Sequence, residues 1–173
     1  MNIILASTSP YRRRLLERLQ LPFRCVSPET DETPLPDEAP AALAVRLARA
    51  KAESIARLQP GALVIGSDQV ASIEGSIMGK PGNFNNASAQ LRSSSGREVV
   101  FYTAIALIAP NRDQERFHVE RFCVRFRDLS DSQIANYLHR EQPYDCAGSF
   151  KVEGLGIALF ESLIGDDPTS LEG

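Results

Sequence analysis

The sequence contains few of the residues that build histidine-based and cysteine-based sites. Its only two histidines are His118 and His139, so a histidine-ligated metal or a Ser-His-Asp triad would need one of them. Its three cysteines, Cys25, Cys123 and Cys146, are odd in number and far apart. They form neither a zinc-binding spacing nor an obvious disulfide framework, and this usage is typical of a protein in a reducing cytosol.

Long hydrophobic runs and an excess of positive charge are missing as well. The chain has no run of 18 apolar residues and no signal-peptide pattern, so we expect a cytoplasmic protein with no membrane partner. Its net charge is −3 and its pI about 5.5, so no global positive field attracts nucleic acid and any phosphate site must be local. The length of 173 residues predicts a single domain over 1–173, with two lobes around a cleft.

The first residues combine a predicted strand with a predicted helix. Ile3–Ala6 is a short apolar run, Ser9 suits a helix N-cap, and Pro10 suits the first helical position. Arg12 and Arg13 then fall in the first turn, where the helix dipole disfavours cations. A bound anion would explain them, which favours a phosphate site. A solvated basic helix start is the alternative, and residue spacing alone does not separate the two.

Two acidic residues stand where a site could use them. Glu32 lies in the proline-rich acidic segment 27–40, which is either a solvated connector or a stiff loop that holds a carboxylate in place. Asp68 follows the apolar run Leu63–Gly66, so we predict that it stands at the carboxyl end of a strand, where open α/β sheets bind ligands. An Asp in that place is also a common turn former.

Two lysines are unusual in their surroundings. A helix is predicted over Ala41–Leu58, and Lys51 lies four residues from apolar positions on both sides, so it points inward. It either snorkels at the core edge or directs its ammonium into an interior cleft that holds an anion. Lys80 follows a predicted hairpin and lies between Gly79 and Pro81, which would stiffen its backbone.

The remaining patterns predict alternating helices and strands. Asn85 or Asn86 would cap a helix that ends at Ser94, and the apolar run Val99–Ile108 is typical of a central strand. Ser130 would cap a further helix, and a glycine-rich loop over 147–156 would precede a strand at 157–160. These elements predict an α/β fold.

The unusual side chains form one set with a common chemistry. Phosphoryl transfer needs cations to hold a polyphosphate, and carboxylates to hold Mg²⁺ and a water molecule. The donors and cations are Ser7, Arg12, Arg13, Lys51 and Lys80, and the carboxylates are Glu32 and Asp68.

At this point the sequence resembles a known family, the Maf nucleotide pyrophosphatases, over nearly its whole length. The matching motifs, in chain order, are Ala6-Ser7-Thr8-Ser9-Pro10-Tyr11-Arg12-Arg13, Asp31-Glu32, Lys51-Ala52, Ser67-Asp68-Gln69-Val70, Gly79-Lys80-Pro81 and Ala147-Gly148-Ser149-Phe150. The resemblance implies a fold similar to inosine triphosphate pyrophosphatases, with a mixed, twisted sheet, flanking helices and two lobes around a central cleft. It also implies hydrolysis of a nucleoside triphosphate to the monophosphate and pyrophosphate, with Mg²⁺ or Mn²⁺, by a homodimer that removes modified nucleotides.

The resemblance also implies a role for each member of the set. Asp68 is similar to the family's catalytic acceptor, and it could serve as base, metal ligand or both. Glu32 is similar to a metal-binding carboxylate. The implied phosphate ligands are Arg12, Arg13, Lys51 and Lys80, with Ser7 supporting them.

Three positions that differ between subfamilies, here Tyr11, Gln69 and Glu153, bear on the nucleotide. The branch similar to dTTP/UTP pyrophosphatases has Arg, Thr and Gln there, whereas the branch similar to 7-methyl-GTP pyrophosphatases has an aromatic residue, Gln and Glu. The 7-methylguanine ring is cationic, so an aromatic face attracts it by about 0.5–2 kcal/mol. Glu153 can accept hydrogen bonds from the guanine N1–H and amine. If Tyr11 instead packs on its helix and Glu153 is solvated, neither side chain favours 7-methylguanine over another base.

Two alternatives to a 7-methyl-GTP pyrophosphatase stay open. One is a dTTP/UTP pyrophosphatase, and the other is a nucleotide-binding regulator, because Maf proteins are associated with septum formation. The sequence also departs from the family, whose members usually continue through a Leu-Pro and a final helix. This sequence stops at Gly173, so the C-terminal helix is expected to be missing.

Overall fold

The structure is a computed structural model that describes residues 2–110 and 114–172. It divides into two compact units. The first unit comprises the described residues of Met1–Gln69 and Thr103–Glu120, and the second comprises Val70–Tyr102 and Arg121–Glu172. No helix within the described residues is both long enough and apolar enough to cross a bilayer.

A seven-stranded mixed sheet is the main element of the fold. Its strand order is β2-β1-β3-β5-β6-β7, with β4 paired to β3. The neighbours of β1 run parallel to it, whereas β4 on β3 and β7 on β6 are antiparallel. The strands are β1 Ile3–Ala6, β2 Phe23–Val26, β3 Leu63–Ile73, β4 Ser76–Met78, β5 Glu98–Ile108, β6 Glu115–Phe126 and β7 Phe160–Ile164. The predicted α/β class is confirmed, and β5 is a central strand as its unbroken apolar run predicted.

Two helices belong to the first unit. Helix α1 spans Pro10–Glu17, and its N-cap is Ser9 with Pro10 in the first turn, as the sequence predicted. Helix α2 spans Pro40–Ala56 and contacts β1. The buried face of α2 follows the 3.6-residue helical period and includes Lys51 among apolar residues. One face of α2 therefore supplies both core packing and a charged group.

One prediction for the first unit is wrong. Ser67, Asp68 and Gln69 do not end a strand, because β3 continues from Leu63 to Ile73. The pairing with β1 ends at Ile65, but the hairpin with β4 pairs residues 71–73 and extends the strand. Asp68 therefore lies within β3, just beyond the last pairing with β1.

The second unit contains the two remaining helices and a large apolar core. Helix α3 spans Phe84–Ser94, and its N-cap is Asn83 rather than Asn85 or Asn86. Helix α4 spans Asp131–Glu141 behind a capping box formed by Ser130. Short 3₁₀ turns cover Ala147–Ser149, Leu155–Leu159 and Pro168–Glu172. The strand predicted at 157–160 is thus wrong, since that stretch is mostly 3₁₀ helix and β7 begins at Phe160.

Four phenylalanines form the centre of the second core. The ring of Phe150 meets those of Phe101, Phe126 and Phe160 edge to face, with centroids 5.2, 5.9 and 4.7 Å away. Edge-to-face contacts are favourable beyond the burial of apolar area alone. The segment that carries Phe150 is therefore fixed to the core.

Candidate active site

Hydroxyl groups shape the turn between β1 and α1. The amide of Ser7 donates to the carbonyl of Leu5 at 2.9 Å, and the buried Ser7 Oγ accepts from the amide of Ser9 at 3.1 Å. The hydroxyl of Ser9 then accepts from the amide of Arg12 at 3.3 Å, which satisfies one N–H of the first helical turn. Ser7 and Ser9 thus fix the direction in which the helix leaves the strand.

An ammonium held by two carboxylates lies in the first unit. The Nζ of Lys51 is 2.5 Å from Asp68 Oδ1 and 2.6 Å from Glu32 Oε1. Lys51 is 6 % and Asp68 7 % exposed, whereas the Glu32 side chain is 54 % exposed. Lys51 does not reach solvent as a snorkelling lysine would, and the anions it meets are the chain's own acids. The three residues come from three different segments, namely α2, β3 and the loop before α2.

A glycine allows α2 to approach β3 closely enough for this contact. A Cβ atom at Gly66 would overlap the carbonyl oxygen of Ala48 and would lie 2.7 Å from the backbone nitrogen of Ala52. Real Cβ atoms essentially never come so close, so only glycine fits there without a shift of the helix. Lys51 immediately precedes Ala52, and Asp68 follows Gly66 by two residues. Gly66 therefore sets the distance at which the ion pair forms.

The two neighbouring arginines of α1 have different surroundings. Arg12 is half-buried; burial lowers its pKa from the ordinary value, and the charges of Asp68 and Glu32 oppose that shift. Arg13 has a side chain that is 64 % exposed, and its Nε lies 2.9 Å from Glu17 Oε1. Arg12 thus interacts electrostatically with the two acids that hold Lys51, whereas Arg13 forms an exposed ion pair along its own helix.

An arginine that the sequence analysis did not single out holds the loop around Glu32. Arg46 on α2 donates to both carboxylate oxygens of Glu38, at 2.7 and 2.8 Å, and to the carbonyl of Thr33 at 3.0 Å. Hydrogen bonds from Arg46 and from the amide of Leu35 lower the pKa of Glu38 to about 2. An arginine eight residues after an acid in a proline-stiffened loop is a weak sequence signal. The bidentate geometry becomes visible only in the structure.

Two of the three subfamily positions, Tyr11 and Gln69, lie in the first unit, and Glu153 lies in the second. The Tyr11 ring is half-buried, and the guanidinium of Arg14 lies 5.2 Å from its centroid. Gln69 donates through Nε2 to the hydroxyl of Thr103 at 3.1 Å, which orients its amide. Glu153 is exposed and belongs to the second unit.

Lys80 also belongs to the second unit, where it is exposed after β4. Of the predicted cations and acids, the structure therefore brings Arg12, Lys51, Glu32 and Asp68 together in the first unit. Arg13 points along its helix, and Ser7 supports the turn before it.

The match to a family model decides which family this is. A model described as "Maf-like protein" matches residues 2–173. The chain belongs to the Maf-like family. The family named from the sequence motifs is thereby confirmed.

Curated relatives of this Maf-like protein are similar over nearly the whole chain. It is 56 % identical over 171 residues to a "7-methyl-GTP pyrophosphatase" of a Polaromonas species, covering 99 % of this chain and 78 % of that one. It is 53 % identical to a protein of the same description from Colwellia psychrerythraea, covering 99 % of this chain and 86 % of the relative.

One solved structure carries the fold comparison. The Staphylococcus aureus Ham1 protein superposes with a TM-score of 0.54 at 15 % identity, over 74 % of this chain and 73 % of that one. At this identity the likeness concerns the fold alone.

Two acids of this Maf-like protein lie close enough to one cation to be compared with a divalent-metal site. Among residues 2–110 and 114–172, no group of three or more His, Cys, Asp and Glu side chains could hold a metal. Magnesium, however, is usually held by one or two carboxylates together with substrate phosphates. Glu32 and Asp68 are such a pair, and they already share one positive charge, that of Lys51.

Proposed function

We propose that this Maf-like protein hydrolyses 7-methyl-GTP to 7-methyl-GMP and pyrophosphate. The observation that carries the proposal is the ammonium of Lys51 held between Asp68 and Glu32, with Arg12 in the same electrostatic environment. Cations and acids in this proximity are what a polyphosphate and its attacking water require. The curated relatives described as 7-methyl-GTP pyrophosphatases support the same reaction.

The proposed reaction adds one water molecule across the P–O–P bridge between the α and β phosphates. Arg12 and Lys51 bind phosphate oxygens and offset the negative charge that develops on the leaving pyrophosphate. Asp68 orients the attacking water and takes its proton, so the oxygen bonds to phosphorus as the bridge breaks. Arg13 and Lys80 are proposed as further phosphate ligands, and Ser7 supports the turn that presents Arg12.

Asp68 and Glu32 are the residues that would hold a divalent cation, Mg²⁺ or Mn²⁺. When bound, the cation supplies positive charge to phosphate oxygens. The chain's own contribution is the placement of its acids: Gly66 sets the position of α2 against β3, and Arg46 fixes the loop that carries Glu32.

Specificity for 7-methylguanine is proposed for Tyr11, Gln69 and Glu153. One face of the Tyr11 ring already lies against a cation, the guanidinium of Arg14, which is the kind of partner that an aromatic face attracts. Gln69 has its amide orientation set by Thr103, so it can present a defined donor and acceptor to a base. Glu153 is exposed, and its carboxylate can accept from guanine donors.

Side-by-side turnover of 7-methyl-GTP, UTP and dTTP with Mg²⁺ tests the proposal. We expect the highest kcat/KM for 7-methyl-GTP. A preference for the two pyrimidine nucleotides would replace the substrate with that of a dTTP/UTP pyrophosphatase. Tight binding of 7-methyl-GTP without release of pyrophosphate would instead indicate a nucleotide-binding regulator.

We also propose that the protein acts as a homodimer in the cytoplasm, where it removes a modified nucleotide. The family resemblance supports the homodimer and the removal of a modified nucleotide, and the cysteine usage supports the cytoplasm. Light scattering on the eluted peak of a size-exclusion column gives the mass in solution, and a mass of one chain would contradict the dimer.

A further inference from the structure

One motif of the sequence, Ala147–Phe150, has no part in the proposed chemistry. Ser149 in this segment is 0 % exposed and has a φ of +62°, a left-handed conformation that glycine adopts most easily. Its neighbour Gly148 also has a positive φ, and a Cβ atom there would lie 2.9 Å from the ring of Phe101. A serine in such a position indicates that its hydroxyl is used, because glycine would otherwise fit with less strain.

The hydroxyl of Ser149 sets the orientation of a glutamine on α3. Ser149 Oγ donates to Gln90 Oε1 at 2.5 Å. With its oxygen engaged in this way, the amide of Gln90 directs Nε2 to the carbonyl oxygen of Gly79 at 2.9 Å. Phe150, the next residue after Ser149, is fixed by the aromatic core. The chain of contacts thus runs from the core to the residue directly before Lys80.

A second side chain of α3 holds the other side of Lys80. Asn86 Nδ2 donates to the carbonyl oxygen of Pro81 at 2.9 Å. Asn86 and Gln90 are four residues apart and share one face of the helix. One helix face therefore bonds both carbonyl groups that flank Lys80.

A third hydrogen bond completes the arrangement. The amide of Gly82 donates to the carbonyl oxygen of Tyr144 at 2.9 Å. The main chain on both sides of Lys80 is thereby fixed within the second unit, while the Lys80 side chain is exposed. Only the side-chain torsions of Lys80 remain to be ordered by a ligand.

We propose that Gln90, Asn86 and Ser149 are positioning residues that fix the backbone of Lys80 so that its ammonium can bind the nucleotide polyphosphate. This inference rests on the proposed function, because it takes Lys80 to be a phosphate ligand. It assigns a role to the Ala147–Phe150 motif, which acts through α3 on a residue far away in the sequence.

Gln90→Glu is the sharpest variant. It keeps an acceptor for Ser149 but replaces the donor to Gly79 with an oxygen that repels that carbonyl. Asn86→Asp likewise replaces the donor to the carbonyl of Pro81 with an oxygen. Since Asn86 is exposed, this is a second variant should Gln90→Glu fail to fold. The matched control is Asn85→Asp, the same amide-to-acid change at an exposed position of the same helix.

The experiment is a double-mutant cycle with pyrophosphate release from 7-methyl-GTP as the assay. In the presence of Lys80, we expect Gln90→Glu and Asn86→Asp each to raise KM about tenfold with kcat nearly unchanged, since uniform binding is lost. In the Lys80→Ala background, the same changes should alter kcat/KM by no more than about twofold, because residues that act through one partner are not additive.

Two results would overturn the positioning role while leaving the proposed function intact. One is an equal loss in both backgrounds, and the other is a loss from Asn85→Asp as large as that from Gln90→Glu. A wild-type protein that releases no pyrophosphate from 7-methyl-GTP, UTP or dTTP would overturn both proposals together.

Discussion

Lys51 and Lys80 are held in opposite ways. In the first unit, the side chain of Lys51 is buried and its ammonium is fixed by Asp68 and Glu32. In the second unit, the side chain of Lys80 is exposed. Gln90 and Asn86 instead donate hydrogen bonds to the backbone carbonyl groups on either side of it.

Because one lysine side chain is buried and the other exposed, their substitutions should affect the stability of the fold to different extents. A buried ion pair cannot lose one partner without leaving an uncompensated charge, so Lys51 should matter to folding as well as to turnover. An exposed lysine contributes little to folding, so Lys80 should matter to substrate binding alone. Substitutions at the two positions can therefore distinguish a structural cation from a purely functional one.

The largest expected effect is that of Lys51→Met. Removing the ammonium leaves Asp68 buried without its closest partner, so we expect a loss of about 3 kcal/mol in the free energy of unfolding. We also expect turnover to fall about 100-fold or more, as is typical when a group that stabilises transition-state charge is removed. Urea unfolding and pyrophosphate release measure the two quantities.

Lys80→Met is the matched variant in the second unit. Its KM for 7-methyl-GTP should rise because a phosphate contact is lost, while the free energy of unfolding stays within about 0.5 kcal/mol of the wild type. Equal destabilisation by the two variants would remove the distinction between the two lysines.

Gly66→Ala tests whether helix packing places Lys51. The added methyl group overlaps the backbone of α2, so we expect a loss of stability of about 1–3 kcal/mol and a lower kcat/KM as Lys51 shifts from Asp68. Gly61→Ala is the control, because a Cβ atom at Gly61 has no neighbour within 4 Å. If both variants behave like the wild type, the close approach of α2 does not set the site.

Acid should weaken the loop that carries Glu32. Hydrogen bonds from Arg46 lower the pKa of Glu38 from 4.5 to about 2, so the folded state binds this proton less tightly than the unfolded state. The resulting stability is present above about pH 4.5 and is lost as the pH falls through about 2. Urea unfolding from pH 5 to 2 should show a shallower acid loss in Glu38→Gln, and an unchanged slope would contradict the assignment.

The smallest expected effect is that of Arg13→Ala. Its pair with Glu17 is exposed, so we expect a stability change within about 0.5 kcal/mol. Because Arg13 is a proposed phosphate ligand, Arg13→Ala should still raise the KM for 7-methyl-GTP, by less than Arg12→Ala does. A KM that is unchanged by Arg13→Ala would exclude Arg13 from the phosphate ligands.

Local patterns predicted some elements of the structure well. Ser9 and Pro10 start α1 as expected, because capping depends on residues within one turn. The inward direction of Lys51 followed from its helical spacing and is confirmed by its burial. The residues that Lys51 meets, Asp68 and Glu32, are distant in sequence; the chemistry of phosphoryl transfer and then the family resemblance grouped them beforehand, but no local spacing predicted the contacts themselves.

The errors arose where a local pattern allows more than one outcome. β3 continues past Asp68 to Ile73, where residues 71–73 pair with β4; the sequence predicted a hairpin there, but not that its first strand is continuous with the strand that contains Asp68. The cap of α3 is Asn83 rather than Asn85 or Asn86, and three nearby asparagines offer the same side-chain chemistry. Asn86 instead donates to the carbonyl of Pro81 and Gln90 donates to that of Gly79, side-chain contacts that no helix or capping pattern predicts.

The most direct test of the central claim identifies the products of 7-methyl-GTP hydrolysis. ³¹P NMR monitors the phosphorus species while the wild type and Asp68→Asn turn over the nucleotide. We predict that the wild type forms pyrophosphate and 7-methyl-GMP. The folded Asp68→Asn protein should form them at about one hundredth of the wild-type rate or lower. Release of orthophosphate in place of pyrophosphate, or a wild-type rate in Asp68→Asn, would contradict a pyrophosphatase centred on Asp68, Glu32 and Lys51.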